Sequence, residues 1–328
     1  MKIGNIDLGD KPLFLAPMED VTDPSFRYMC KLFGADMVTT EFVSSDGLFH
    51  GAEKTFRKLN VSDAERPVAI QIYGHLIEPM VEAAKLAERA NPDVIDINFG
   101  CPMKKIAGRG AGSGMMKDVP LMVEMTRQIV NAVKLPVTVK TRLGWDDDNK
   151  NIEEIAERLQ DVGIQALTIH GRTLIGKVKN NPRIHIPIIG NGDITSASRA
   201  AECFDRYGVD AVMIGRATYG RPWIFRECKH FIATGQELPQ PSVPERVAIA
   251  KHHLDLSLAA KGDFVGIIEM RRHFSNYFKG LPDFKQTRMK FVTSYDPDEI
   301  RSLLDYTAER WADYDFSQVI PAPLSHDI

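Results

Sequence analysis

Eight short apolar runs, each separated from the next by a longer stretch, constrain this chain more than any other feature. They lie at 13–16, 37–40, 68–72, 94–97, 137–140, 166–169, 186–189 and 211–214. They are rich in Val and Ile and mostly lack strict alternation, as expected of strands buried on both faces. Between them, segments 24–33, 78–90, 119–133, 152–162 and 196–207 carry helical periodicity. Val119, Met122, Val123, Met125, Thr126, Ile129, Val130 and Val133 give one apolar face at helical spacing. Asp23-Pro24 and Asp118-Val119-Pro120 have the acidic cap and early proline of a helix start. Strands alternating with helices in this number predict an α/β fold, a (β/α)8 TIM barrel. A doubly wound open sheet is the structural alternative.

The pattern changes after Gly235. Three prolines, Pro239, Pro241 and Pro244, mark 237–244 as a linker. Beyond it, segments 247–260, 264–278, 284–294 and 298–314 show helical periodicity and no strand pattern. The expected organisation is therefore a barrel over 1–236, a small all-α helical bundle over 245–320 and a frayed tail at 321–328. A chain of 328 residues, 44% hydrophobic and 26% charged, suits such a globular pair. Its net charge of −3 excludes a global basic field, so any nucleic-acid surface must be local. The four cysteines, Cys30, Cys101, Cys203 and Cys228, form no CxxC pair, which argues against a metal site or a disulfide framework. The chain opens without a basic-then-apolar signal pattern, and no apolar run reaches membrane-spanning length. A cytoplasmic, monomeric protein is expected.

The carboxyl ends of the strands carry the chemistry. The fourth ends in Asp96-Ile97-Asn98-Phe99-Gly100-Cys101-Pro102. Gly100 permits a turn and Pro102 fixes the backbone after it, so Cys101 sits on a stiff loop. It suits either a catalytic acid or a small buried thiol. Pro17-Met18 ends the first strand, and Gln71 lies in the third. Lys140, Thr141 and Arg142 end the fifth, and His170-Gly171-Arg172 the sixth. In a barrel all of these converge on one mouth. Asn191-Gly192-Asp193 follows the seventh strand and Gly215-Arg216 the eighth, where this fold usually binds phosphate. Neither a Walker A pattern nor an opening GxGxxG is present.

Together, the segments 15–23, 96–102, 139–144, 169–173, 190–194 and 214–217 resemble the bacterial tRNA-dihydrouridine synthases. The resemblance runs in order from about 13 to 291 and extends to the family's helical C-terminal domain through 271–281. The B-type subgroup is the nearest in pattern. The resemblance implies FMN-dependent reduction of the C5–C6 bond of particular uridines in tRNA, with NADPH as electron donor. It implies that Pro17, Met18 and Glu19 lie against the flavin. Gln71 would bond the pyrimidine edge of the ring, Lys140 would sit near N1–C2, and His170 would approach the cofactor. Asn191, Gly192, Asp193, Gly215 and Arg216 would serve the phosphate and ribityl end. Cys101 would be the proton donor and Asn98 would face the uracil. A thiol with a pKa near ~8.5 is mostly protonated at neutral pH and can donate.

Two local basic patches suit tRNA. Lys104, Lys105, Arg109 and Lys117 face no acid across 104–117. Arg271, Arg272, Lys279, Lys285, Arg288 and Lys290 face only Asp283 across 270–290, with His273, Tyr277 and Phe278 interleaved. Two features depart from the family pattern. Glu19-Asp20 replaces small residues, and the segment after Thr173 is about a dozen residues shorter than in the family. The competing functions are an FMN barrel acting on a free pyrimidine, like dihydroorotate dehydrogenase, and a redox-inactive tRNA-binding protein.

Overall fold

A computed structural model of the chain describes residues 1–171 and 174–318. Arg172, Thr173 and the tail 321–328 lie outside the described residues. The apolar runs form eight parallel strands: β1 (Leu13–Leu15), β2 (Met37–Thr39), β3 (Val68–Tyr73), β4 (Val94–Asn98), β5 (Val137–Arg142), β6 (Ala166–His170), β7 (Ile188–Asn191) and β8 (Ala211–Ile214). Each pairs with its neighbour in chain order, and β8 returns to β1 through Val212 opposite Leu13. The sheet is thereby closed, which rules out the doubly wound alternative with its two open edges.

Helices Pro24–Leu32, Ile77–Arg89, Val119–Ala132, Ile152–Asp161 and Ala197–Tyr207 connect successive strands. Their starts follow from local chemistry. Asp23 accepts from the Phe26 amide and Asp118 from the Leu121 amide, each at 3.0 Å, and a proline follows each cap. Helix Pro24–Leu32 is anchored by Arg27, whose guanidinium bonds buried Glu65 and the carbonyls of Thr22 and Asn60.

A small antiparallel hairpin, Lys2–Ile3 with Ile6–Asp7, precedes the barrel. Its Ile3 joins Leu8, Phe14, Met37, Val94, Ala166 and Met213 in one apolar cluster. Burying each of the larger side chains contributes roughly 1.5–3 kcal/mol. This cluster fills the barrel from the end where the strands begin. The interior near the strands' carboxyl ends is left to polar side chains.

The chain divides into two compact units, Met1–Ile194 with Ser198–Gly215, and Thr195–Ala197 with residues from Arg216 onward. The division comes before the expected linker, so helix Ile224–Thr234 goes with the second unit. There Ser242 and Glu245 form a reciprocal cap on the run Val243–Tyr277. The sequence pattern predicts two separate helices in this stretch, and Gly262, with φ of 75°, marks the break between them. Lys285–Thr293 and Pro297–Arg310 follow. The unit's core contains Trp223, Phe274, Tyr277, Phe278, Phe291 and Leu304. Among the described residues, no helix is long and apolar enough to cross a membrane.

Candidate active site

Strand register brings the polar side chains together. Ala69, Val94, Ala166 and Ile189 belong to the interior cluster, and side chains two or four residues further along a strand share their face. Gln71, Asp96, Asn98, Thr168, His170 and Asn191 therefore line the inside. On β5, Thr138 lies opposite Asp96, Lys140 opposite Asn98 and Thr168, and Arg142 opposite His170. One wall of the mouth is thus polar from β3 to β7.

Cys101 is half-buried on the loop after β4. Asn98 Oδ1 accepts from the Gly100 and Cys101 amides at 3.0 Å each, and Arg142 Nε donates to the Gly100 carbonyl at 2.8 Å. A Cβ on Gly100 would stand 3.3 Å from the Thr141 backbone, so the loop lies close against β5. From the other side, the Ser113 amide donates to the Cys101 carbonyl at 3.0 Å. A Cβ on Gly112, whose φ is +53°, would come within 2.8 Å of that carbonyl oxygen. The thiol's position is therefore set by backbone on both sides.

The electrostatics differ from those of a nucleophilic cysteine. Burial pushes the Cys101 thiol above its ordinary value, and Glu19 adds to this, against the Met103 amide, Arg142 and Lys140. The group is a protonated donor at neutral pH. Burial lowers half-buried Lys140 to about 8, with the charge of Asp96 opposing the shift and that of Arg142 assisting it. Burial, then the Lys140 charge, lowers His170 to about 4, so its ring is neutral at pH 7. Its tautomer follows from its neighbours. Asn191 Nδ2 donates to the Met213 carbonyl at 2.8 Å, so Oδ1 faces His170 Nδ1, also at 2.8 Å. Nδ1 therefore carries the proton, and Nε2 is an acceptor.

Beyond His170, a void about the size of one water lies between β7 and helix Ala197–Tyr207, lined by Gly190, Asn191, Gly192, Ile175, Cys203 and Tyr207 among others. Gly192 has φ of +122°, and a Cβ there would stand 3.4 Å from the Gly171 amide nitrogen. Asp193 follows with φ of 47°, turning the backbone back on itself. Gly215 lies beside Met18, where a Cβ would be 3.7 Å from the sulfur. Arg216 opens the short turn Arg216–Thr218 in the second unit. A glycine cradle, a neutral imidazole and a cation of lowered pKa fit an extended, phosphate-bearing ring cofactor.

At the end of β1, Pro17, Met18 and Glu19 are half-buried. Met18 is fixed by Thr22, whose hydroxyl accepts from its amide at 3.0 Å. Glu19 pairs with Lys58, which also lies 3.7 Å from Glu41. Burial opposes the Lys58 charge, but Glu19 and Glu41 raise its pKa overall. The carboxylates of Glu19, Asp20 and Glu41 converge within 4.8 Å, and the Lys58 ammonium is their cation.

Lys104, Lys105, Arg109 and Lys117 are exposed, and Lys117 stands 3.8 Å over the Trp145 ring. In the helical unit, Arg272, Lys279, Lys285, Arg288 and Lys290 are exposed. Arg271 instead bonds the Ser294 carbonyl at 3.0 Å and covers the Tyr295 ring. The interleaved aromatics are corrected: His273, Tyr277 and Phe278 are core side chains, at most 1% exposed, and offer no stacking surface. Their helical spacing beside basic residues mimics a binding stripe, but that spacing puts them on the inner face.

Sequence reading gives no roles to Asp96, Thr138 and Arg142. The signal for them is a run of polar residues at inward positions of strands that are otherwise apolar.

The dihydrouridine synthase (Dus) family matches residues 14–312. The chain is 40% identical over 304 residues to the tRNA-dihydrouridine synthase B of Pseudomonas putida, covering 89% of each chain. It is 38% identical over 310 residues to a probable tRNA-dihydrouridine synthase of Rickettsia conorii, covering 90% of this chain and 93% of the relative. In fold it is similar to a morphinone reductase mutant in complex with tetrahydroNAD, with a TM-score of 0.54 and 13% identity, over 74% of this chain and 92% of that one. The chain belongs to the dihydrouridine synthase family and is a flavin-dependent oxidoreductase.

Proposed function

We propose that this chain reduces uridine to dihydrouridine in tRNA, with FMN as its bound flavin, NADPH as electron donor and Cys101 as proton donor. The carrying observation is the Cys101 loop. A thiol with a raised pKa is held by Asn98 and Arg142 at a mouth that also holds Lys140 and His170. The names of the relatives, including the B-type of the pseudomonad enzyme, support tRNA as the substrate.

Bound FMN supplies the hydride that reaches C6 of the uracil ring. Cys101 then gives its proton to C5, and the thiolate left behind is stabilised by the Arg142 and Lys140 charges until solvent reprotonates it. Lys140, poised near 8, would hold positive charge beside the pyrimidine edge of the flavin. His170 Nε2 would meet the ring and Pro17, Met18 and Glu19 would border it, whereas Gln71, expected there too, is fully buried with its amide engaged by Asp96 and Asn98. Asn191, Gly192, Asp193 and Gly215 would receive the ribityl and phosphate end, and Arg216 would add a charged contact. Asn98 faces the substrate with its remaining polar valence. The target base must leave its stack to reach this mouth. Exposed Lys104, Lys105, Arg109 and Lys117, with Arg272, Lys279, Lys285 and Arg288, give phosphate contacts that a free pyrimidine would not need. Arg271 contributes through its order rather than as a free cation. Four free thiols suit a reducing cytoplasm.

The test is the dihydrouridine content of unmodified tRNA incubated with purified protein, FMN and NADPH, for wild type and Cys101→Ala. The expected result is product from wild type and about a hundredfold less from Cys101→Ala. NADPH oxidation with unchanged tRNA would overturn the substrate assignment. Equal product from both proteins would overturn the role of Cys101.

A further inference from the structure

We propose that Asp96 is the positioning residue of Cys101, acting through the side-chain amides of Gln71 and Asn98. The proposal rests on the reading of Cys101 as proton donor. Two groups set the hydrogen-bonding sense, the peptide N–H groups of the Cys101 loop and the ionised Asp96 carboxylate, whose pKa burial raises and the Thr138 and Gln71 bonds and the Lys140 charge pull back. At one end the Gly100 and Cys101 amides only donate, so the Asn98 atom 3.0 Å from both is Oδ1. Asn98 Nδ2 is then turned away, and it donates to Gln71 Oε1 at 2.8 Å. Gln71 Nε2 in turn donates to Asp96 Oδ2 at 2.6 Å. At the far end the Asp96 carboxylate only accepts, and it takes a second bond from the Thr138 hydroxyl, at 2.6 Å on Oδ1. The two ends impose the same sense on both amides between them. An amide flanked by neutral hydroxyls could reverse, but these cannot.

All three side chains are buried, Gln71 completely, and none of the chain's links passes through solvent. A carboxylate inside a barrel is costly unless its bonds do something there. Phe14, Met37 and Met213 show that other interior positions of this barrel are filled by apolar side chains. What Asp96 adds is direction. Without an acceptor at this position Gln71 Nε2 would be buried without its partner, and Gln71 would no longer be held with Oε1 toward Asn98 Nδ2. A reversed Asn98 would set Nδ2 against two peptide N–H groups, and the loop would have to move.

Each change can be made separately and then compensated. Asp96→Leu removes the acceptor for Gln71 Nε2 and the Thr138 hydroxyl, whereas Asp96→Asn alone could still turn its Oδ1 to Gln71 and its Nδ2 to the Thr138 oxygen. Gln71→Glu places two carboxylates together. In the combined Asp96→Asn/Gln71→Glu variant, the amide introduced on β4 donates to the carboxylate introduced on β3. That carboxylate still accepts from Asn98, so the original sense returns with one carboxylate and one amide. The measurement is the iodoacetamide alkylation rate of Cys101 against pH, read by mass spectrometry. It is made on flavin-loaded and flavin-free protein, because the family resemblance places Gln71 beside the flavin.

In each single variant the loop opens, the Cys101 titration moves down toward an ordinary thiol, and alkylation at pH 8 rises about tenfold. In the double variant both return to within about twofold of wild type. An unchanged profile in Asp96→Leu would overturn the proposal, as would a double variant no nearer to wild type than the singles. If the singles do not fold, the double decides alone. Folding with a wild-type Cys101 profile supports the network, and failure to fold or an altered profile overturns it. Dihydrouridine formation by Cys101→Ala is measured in parallel. Retained activity there would remove the proton-donor reading, while the alkylation profiles would still judge the network.

Discussion

Arg142 Nε donates to the Gly100 carbonyl at 2.8 Å, so a cation on β5 grips the residue just before the thiol of Cys101. The same guanidinium lowers the thiol's pKa against the effect of burial. Arg142→Met removes both effects and keeps much of the length of the side chain. A lost hydrogen bond to a charged group costs about 1.5–3 kcal/mol, so turnover should fall roughly 10- to 100-fold. The Cys101 pKa should rise further. Stopped-flow turnover of the reduced enzyme and the alkylation profile of Cys101 check the two effects separately.

Lys140 sets the alkaline edge of activity. Its pKa is lowered to about 8, whereas that of Cys101 is raised above its ordinary value. The Lys140 charge is present below about 8 and lost above it, while the thiol keeps its proton to higher pH. Turnover at saturating substrates should therefore fall through about pH 8, and Lys140→Arg should move that limb upward because arginine stays charged. A limb that does not move on this substitution would assign it to another group.

The turn after β7 depends on an absent side chain. Gly192 adopts φ of +122°, and a Cβ there would stand 3.4 Å from the Gly171 nitrogen and 3.8 Å from the His170 ring. Gly192→Ala should strain this turn and crowd the cradle, weakening FMN binding about tenfold, with a strain of order 1–3 kcal/mol. Fluorescence titration of flavin-free protein measures it. The Cys101 alkylation profile should stay unchanged, because the two loops are held by different strands.

Strand runs and Gly-Cys-Pro were legible because buried parallel strands and stiff turns write themselves locally in composition. Asp23 and Asp118 marked their helices for the same reason. Roles in the polar wall were harder to read. Asp96, Thr138 and Arg142 acquire partners only through register across β3, β4 and β5, and no single segment contains that register. Glu19 was legible as a departure, but its ion pair with Lys58 joins distant parts of the chain. His273 and Tyr277 misled because helical spacing fixes a common face without saying which face is buried. The shortened segment after Thr173 adjoins in sequence Arg172 and Thr173, which lie outside the described residues.

Buried Arg27 and Glu65 are 2% and 1% exposed in their side chains, and they tie helix Pro24–Leu32 to the turn Asp63–Glu65. Arg27→Met should leave the Glu65 carboxylate without its cation in a low-dielectric site. Breaking such a pair costs about 3–5 kcal/mol. The companion Arg27→Met/Glu65→Gln should recover part of that loss, because the unpaired charge is removed. Urea unfolding at pH 7 for both variants gives the comparison. Equal loss in both would mean that packing of the Arg27 stem, rather than charge, holds the helix.

His170 should make the barrel sensitive to mild acid. Its ring is depressed to about 4 from 6.5, chiefly by burial and then by the Lys140 charge. Between those values the unfolded chain binds more protons than the folded one, so stability rises with pH across this window. The group costs nothing above about 6.5, and the full penalty is reached below about 4. A shift of this size corresponds to at most roughly 3 kcal/mol. His170→Gln keeps a polar side chain at this position but cannot take up the proton. Urea unfolding at pH 7, 5.5 and about 4.5 should show wild type losing more stability on acidification than the variant. Parallel losses in the two proteins would place the acid sensitivity elsewhere, and not at buried Asp96, whose raised pKa makes the folded state take up a proton first on acidification.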